Sequence, residues 1–406
     1  MKIIMTTLFG IEALTAEELT GLGYARENIA VTDGQVMLDA GDLPGQSDRT
    51  VAAAARLNVF LRTAERVLVQ LATFPAADFD TLFDSTRDLP WEEWLAPGIA
   101  FHINGYSRKS ALFGIPACQS LIKKAIVSRL LRVRGMAAGS QLPEDRTRGL
   151  VRIQFGIVND QVSLMVDTSG DGLHKRGYRP LMHEAPIKET LAAAMLMVSR
   201  FQPFSDEALF DPCCGSGTLP IEAALMAGQV APGLNRAFAG ESWSVMGLAP
   251  FQAARAEAMA GMNLQPPDQP FIFGSDISPR AVELAQANAR RAGVDQLIRF
   301  RPGDLLQLKL ADLTKWTGFS RHLVICNPPY GERLLDVQQA EAIYAGLGRI
   351  FLDRGMTRPG IRLSVITSHE QFENIVGGRA DKRRKLYNGM IKCTLFHYFK
   401  QRRLEK

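Results

Sequence analysis

The sequence predicts an α/β protein whose C-terminal part is a doubly wound, mostly parallel sheet, preceded by smaller α+β units. Three observations predict it. Strands and helices alternate after Asp167, several short β-like runs precede that point, and the last apolar run, KLYNGMIKCTLFHYF, reads as a closing antiparallel hairpin. With 406 residues, 46% of them hydrophobic and 22% charged, the chain is long enough for real cores and too long for one, so two or three domains are expected.

In chain order, residues 3–7 form a β-like run, 11–22 a helix and 29–39 strand-like pieces, a small α+β unit over 1–58. A second unit, 59–166, holds an apolar run at 66–73, an extended FHINGYS at 101–107, a helix over 118–132 and an alternating pair within 152–166. In that helix Leu121, Ala125, Ile126 and Leu130 recur at helical spacing, which leaves Lys123, Lys124 and Arg129 off the apolar stripe. From 167 to 406 the readable strands are 208–210, 271–274, 298–301, 322–326 and 362–366. Residues 228–268 are long for one connection and read as an insertion with helix of its own. Asn388-Gly389 suits the positive φ angles of the hairpin turn.

The opening MKIIMTTLFG does not read as a secretion signal and no apolar run approaches the ~18 residues that cross a bilayer, so neither secretion nor membrane insertion is expected. Five cysteines without a CxxC, and six scattered histidines, predict free thiols in a reducing cytoplasm and no metal site. The net charge of +5 is uninformative, but its distribution is not. Residues 101–152 and 379–406 each carry a net +8, so the remaining chain is acidic. Two such segments suit a phosphate-binding surface, because each neutralised phosphate releases counterions.

LFDPCCGSGTLPIEAA, 209–224, reads as a strand, a glycine-bearing turn and a helix start. Asp211 at the strand end would repel a pyrophosphate and attract an ammonium, which argues against a nicotinamide cofactor and for S-adenosylmethionine. Two further strands end in acids. Ser278 and Pro279 open the next helix, leaving Asp276 free to bind a ribose diol, and Asp304 could accept from an adenine amino group beneath Leu305. The expected cofactor set is Asp211, Cys213, Gly215, Ser216, Gly217, Thr218, Asp276, Ile277, Asp304, Leu305 and Asn327.

The fourth strand ends in Asn327-Pro328-Pro329-Tyr330, where two prolines stiffen the backbone. An exocyclic base amine is a poor nucleophile until its N–H bonds are accepted. The Asn327 oxygen and the Pro328 carbonyl would accept them and aim the nitrogen lone pair at a sulfonium methyl, with Tyr330 stacking on the base. Cys326 could instead be the thiol of a carbon-methylating enzyme, although its apolar strand favours a buried small residue. NPPY reads an amine without saying which base bears it, so guanine N2 and adenine N6 both remain open.

These segments resemble bacterial THUMP-domain methyltransferases that modify guanine N2 of large-subunit (23S) ribosomal RNA, a group long labelled N6-adenine DNA methylases. The resemblance runs through NVFLRTAERVL (58–68), PACQSLIKKAIVSRL (116–130), DTSGDGLHKRGYR (167–179), APIKETLAAAML (185–196), DPCCGSGTLPIEAA and NPPYGERL. It implies a ferredoxin-like domain (1–58), an RNA-gripping THUMP domain (59–166) and a Rossmann-like class I methyltransferase domain (167–406). It further implies S-adenosylmethionine as cofactor, ribosomal RNA or a ribosome assembly intermediate as partner, and a segment with Pro186, Lys188, Glu189 and Thr190 that closes over the cofactor. Phosphate contacts are expected from Arg108, Lys109, Lys123, Lys124 and Arg129. Arg176, Tyr178 and Arg179 belong either to an interdomain linker or to the RNA surface. Some relatives continue into a second methyltransferase domain, which is not expected here because the chain ends at Lys406.

Overall fold

A computed structural model describes residues 2–40, 46–137, 139–179, 187–265, 267–330 and 334–401. They form two compact units.

The first unit is built on one seven-stranded sheet of β1 (Lys2–Thr7), β2 (Ile29–Thr32), β3 (Gln35–Asp39), β4 (Ala64–Pro75), β5 (Ile99–Arg108), β6 (Asp145–Val158) and β7 (Gln161–Asp167), ordered β2-β3-β1-β4-β7-β6-β5. Strands expected in separate units 1–58 and 59–166 share this sheet, because β1 pairs antiparallel with β4. Alternation sets its faces. In β5, Phe101 and Ile103 are buried while His102 and Asn104 are exposed. Helix Ile115–Val133 opens with a proline in its first turn and buries Cys118, Ile122, Ala125, Ile126 and Leu130; Leu121, expected on the stripe, is only half-buried.

The insertion contains a helix, Ala249–Gly261, and residues 233–260 pack into this first unit. Gly233 N–H donates to the Val59 carbonyl (2.9 Å), Gly240 N–H donates to that of Thr168 (3.0 Å), and Arg56 forks onto Glu257 (2.7–3.0 Å). Phe238, Trp243 and Phe251 are buried, so this stretch contributes apolar packing of its own.

The second unit carries β8 (Glu207–Asp211), β9 (Ile272–Asp276), β10 (Ile298–Pro302), β11 (Arg321–Cys326), β14 (Ile361–Thr367), β15 (Lys382–Asn388) and β16 (Ile391–Tyr398), ordered β10-β9-β8-β11-β14-β16-β15. A separate two-stranded ribbon joins β12 (Leu352–Asp353) to β13 (Met356–Thr357). The first five strands of the large sheet run parallel; β16 and β15 are antiparallel. The strand order reverses between β8 and β11, the switch point where open α/β sheets bind ligands. The hairpin turn differs from expectation by one residue. Asn388 pairs with Ile391 in the ladder, so Gly389 (φ +63°) and Met390 make the turn and the Asn388 side chain is released for another contact.

Candidate active site

The glycine loop is held open by its own backbone. Gly215 (φ +51°) and Gly217 (φ +85°) both sit in the left-handed region. A Cβ at Gly217 would meet the Ala285 Cβ at 2.9 Å, so that glycine is needed for helix packing, whereas a Cβ at Gly215 would enter open space. Asn288 Nδ2 donates to the Ser216 carbonyl (3.0 Å) and fixes the loop from the facing helix.

The three strand-end acids follow adjacent strands at one sheet edge, in two different states. Asp211 is 2% exposed and accepts from Cys213 N–H (3.0 Å). Burial, opposed by that hydrogen bond and aided by the nearby Asp276 charge, pushes its pKa well above the usual carboxylate range. No ion pair to Asp211 occurs among the described residues, so an approaching cation would favour its ionised form. Asp276 departs from expectation. Far from idle, it accepts from Ser278 N–H (3.0 Å) and Gly215 N–H (2.9 Å) and so braces the glycine loop, while Ser278 caps the helix as expected. Asp304 is likewise a turn brace, accepting from Leu306 N–H (2.8 Å) and Gln307 Nε2 (3.1 Å). Leu305 is buried and Ile277 is 71% exposed beside Asp276, as an apolar cover for a planar ring would be.

Asn327 follows β11, the strand next to β8. Its Oδ1 is occupied by the Tyr330 hydroxyl, which donates at 2.6 Å and itself accepts from Asn388 Nδ2 at 3.3 Å. Tyr330 therefore lies against the acceptor it was expected to leave free for a base amine. Burial first, then the neighbouring Cys393, raises its pKa, so it stays a neutral donor. The Pro329 carbonyl accepts from Tyr344 (2.8 Å), whose hydroxyl also lies 2.9 Å from Thr367 Oγ1; burial pushes the Tyr344 pKa up to about 12. Cys326 is fully buried and its thiol is pushed up chiefly by burial, which removes the thiolate that carbon methylation would need.

Sequence reasoning missed the site contacts of Tyr344, Thr367 and Asn388, which lie 14 or more residues beyond the motif; Asn388 was read only as part of the hairpin turn. It left the 176–179 segment open, and here the geometry decides. Arg176 and Tyr178 are buried, with Tyr178 donating to Glu222 (3.1 Å) and Arg176 Nε 3.6 Å from the same oxygen. Arg179 bridges Glu189 (2.7–2.8 Å) to Thr218 Oγ1 (3.0 Å), tying two helix starts at the loop together. Arg176 and Tyr178 thus belong to the second unit's interior, and Arg179 is half-buried at its edge. Lys188 and Thr190 flank Glu189, half-buried and buried respectively; Pro186 lies outside the described residues.

Of the cations expected to hold phosphates, Arg108, Lys109, Lys123 and Lys124 are exposed in the first unit. Lys123 lies 3.2 Å from Glu144 and 5.1 Å from the centre of the Phe101 ring. Arg129 is a correction. It forks onto Glu92 (2.5 and 3.0 Å) and is half-buried, because the helix start at Trp91–Trp94 brings an acid under it. Among the described residues no cluster of three His, Cys, Asp or Glu could hold a metal, and no helix is long and apolar enough to cross a membrane.

Comparison with known proteins settles the class. Residues 176–397 match an RMKL-like methyltransferase domain, 2–68 an RlmL ferredoxin-like domain and 76–167 a THUMP domain. The chain belongs to the RMKL-like methyltransferase family. It is similar to YpsC of Bacillus subtilis, provisionally named an RNA methyltransferase, at 38% identity over all of this chain and 97% of that one. It is 34% identical to the ribosomal RNA large subunit methyltransferase K/L of Syntrophotalea carbinolica over 98% of its own length, and spans about half (53%) of that relative. The solved structure of SMU.472, provisionally a methyltransferase and complexed with SAH, is 35% identical with a TM-score of 0.82, covering 99% of this chain and 98% of the other. The chain is thus an S-adenosylmethionine-dependent methyltransferase with ferredoxin-like and THUMP domains ahead of its class I catalytic domain, and the nicotinamide alternative falls away.

Proposed function

We propose that this protein methylates the exocyclic N2 amine of a guanine in 23S ribosomal RNA. One observation carries the reading. A buried, charge-starved Asp211 and an amide-bearing hook at Asn327 end neighbouring strands at the sheet's switch point, so an ammonium-bearing methyl donor and an amine acceptor are held side by side. When bound, S-adenosylmethionine supplies an electrophilic methyl group on its sulfonium. Asp211 would take the ammonium; Asp276, Ile277, Asp304 and Leu305 would face the nucleoside; Gly215, Ser216, Gly217, Thr218 and Cys213 would line the loop. The space beside Gly215, which a Cβ would enter, fits that assignment.

On the base side, Tyr330 turns away from Asn327 and stacks on a flipped guanine, exposing Oδ1 to the N2 amine. Tyr344 pins the Pro329 carbonyl and keeps the Pro328-Pro329 backbone in place, so the second acceptor, Pro328, is presented without reorganisation. Arg108, Lys109, Lys123 and Lys124, in the segment matching the THUMP model, hold phosphates and set position more than identity. We assign 1–58, 59–166 and 167–406 to the three domains, ribosomal RNA or an assembly intermediate as substrate, and the cytoplasm as the location. A second reading, adenine N6, survives because the Asn327 oxygen and the Pro328 carbonyl would accept from an exocyclic amine on either base. Incubating the protein with labelled methyl donor and either 23S RNA or DNA, followed by nucleoside analysis, separates the two: N2-methylguanosine is expected, and N6-methyladenosine as sole product overturns the guanine assignment.

A further inference from the structure

The second basic segment, which the proposed function leaves unused, falls on the hairpin next to the catalytic hook. β15 is the outermost strand of its sheet, and its two faces differ. One face bears Leu386 and, across the ladder, Cys393, both buried, together with Asn388, which reaches the Tyr330 hydroxyl. The other carries Lys385 and Tyr387 and, directly opposite them on β16, Thr394 and Lys392. Lys385 and Lys392 are exposed, and neither forms an ion pair with a described acid; Arg383, by contrast, is bound to Glu373 (2.6 Å). Phe9, which belongs to the same compact unit, is 56% exposed and meets the Tyr387 ring edge to face at 6.0 Å. Gly10 lies close against the β15 backbone, where a Cβ would come within 2.7 Å of the Lys385 carbonyl. The aromatic pair is thus fixed on the strand. Met390 at the turn is 97% exposed.

A pair of aromatic rings, one of them Tyr387 on the same strand face as Lys385 and opposite Lys392, next to the residue that touches the hook, has the chemistry of a single-strand nucleic-acid platform. Rings stack on bases of any sequence, and lysines neutralise the backbone between them. We propose that Phe9, Tyr387, Lys385 and Lys392 form a subsite for a single-stranded RNA nucleotide flanking the target, stacking its base and holding its phosphates while the target base occupies the pocket. The inference rests on the RNA reading above and extends it to the catalytic unit's own surface.

Fluorescence anisotropy with a labelled ten-nucleotide single-stranded RNA, titrated between 50 and 200 mM salt, reads the platform without methyl transfer. Phe9→Ala/Tyr387→Ala should weaken binding about tenfold or more at every salt concentration. Lys385→Ala/Lys392→Ala should lower the slope of log affinity against log salt by about 1.4, two single-strand phosphates' worth. Tyr387→Phe, which keeps the ring, should restore wild-type binding. Unchanged affinity and slope in both double variants, with unchanged melting temperatures, overturn the platform. If both double variants lose RNA affinity but the wild-type enzyme methylates only DNA, the platform stands and the RNA substrate reading falls.

Discussion

The two halves of the proposed catalytic rim are prepared in opposite ways. On the proposed cofactor side, main-chain N–H groups of the glycine loop and of the turns are already satisfied by Asp276 and Asp304, while Asp211 is a buried carboxyl with no cation of the described residues against it. On the base side the polar groups are paired with each other, Tyr330 with Asn327 and Asn388, Tyr344 with Pro329. The cofactor half is rigid and electrostatically unbalanced; the base half is balanced and must rearrange one side chain. A charged ligand gains most from the first design, because a buried charge meets its counterpart in a low dielectric. A neutral, flipped base suits the second, since a protein hydroxyl shields the acceptor from water until the amine replaces it.

Substitutions can break this comparison. The largest effect is expected at Asn327. Asn327→Ala should lower kcat about 10²–10³-fold and leave cofactor affinity, measured by calorimetry, nearly unchanged; equal loss of both would merge the two halves. Next, Tyr330→Ala should cost about 10–10²-fold in kcat/KM for RNA through lost stacking, whereas Tyr330→Phe keeps the ring and frees Asn327, so its kcat/KM should not fall. A marked loss in Tyr330→Phe would mean that the hydroxyl assists the reaction and does not merely shield the acceptor.

Asp211 sharpens the other half. Its carboxyl is more basic in the folded protein than in the unfolded chain, so folding takes up protons and this group's contribution to stability declines as pH rises from the unfolded value through the raised one. Asp211→Asn should therefore raise the melting temperature at neutral pH while losing cofactor affinity, and wild-type cofactor affinity should fall as pH drops because the carboxyl protonates. A variant both less stable and unable to bind would contradict that electrostatic account. The smallest effect separates the helix cations: Lys124→Ala should weaken RNA binding and reduce the salt slope by about 0.7–0.9, whereas Arg129→Ala should leave the slope alone and slightly lower stability, since it removes the pair with Glu92.

Much of this was legible without coordinates. The five parallel strands read at 208–210, 271–274, 298–301, 322–326 and 362–366 coincide with observed strands to within a residue or two; the inner ones are short apolar blocks bounded by turn residues, whereas the edge strand at 298–301 alternates. The turn one residue off at 389–390, the half-buried Leu121 and the paired Arg129 show the boundary of that method. Periodicity reports which side of an element is apolar; it does not report which acid a neighbouring element brings to a cation.

The order of acids and glycines along the chain, local in origin, determined the α/β class, the loop after β8 and the identity of the hook. Only the tertiary structure decided that Asp211 is buried with no counter-charge among the described residues while Asp276 and Asp304 are braces, that Tyr330 covers Asn327, and that residues 233–260 pack into the first unit. Burial and side-chain partnership depend on residues tens to hundreds of positions away, and no local spacing encodes them.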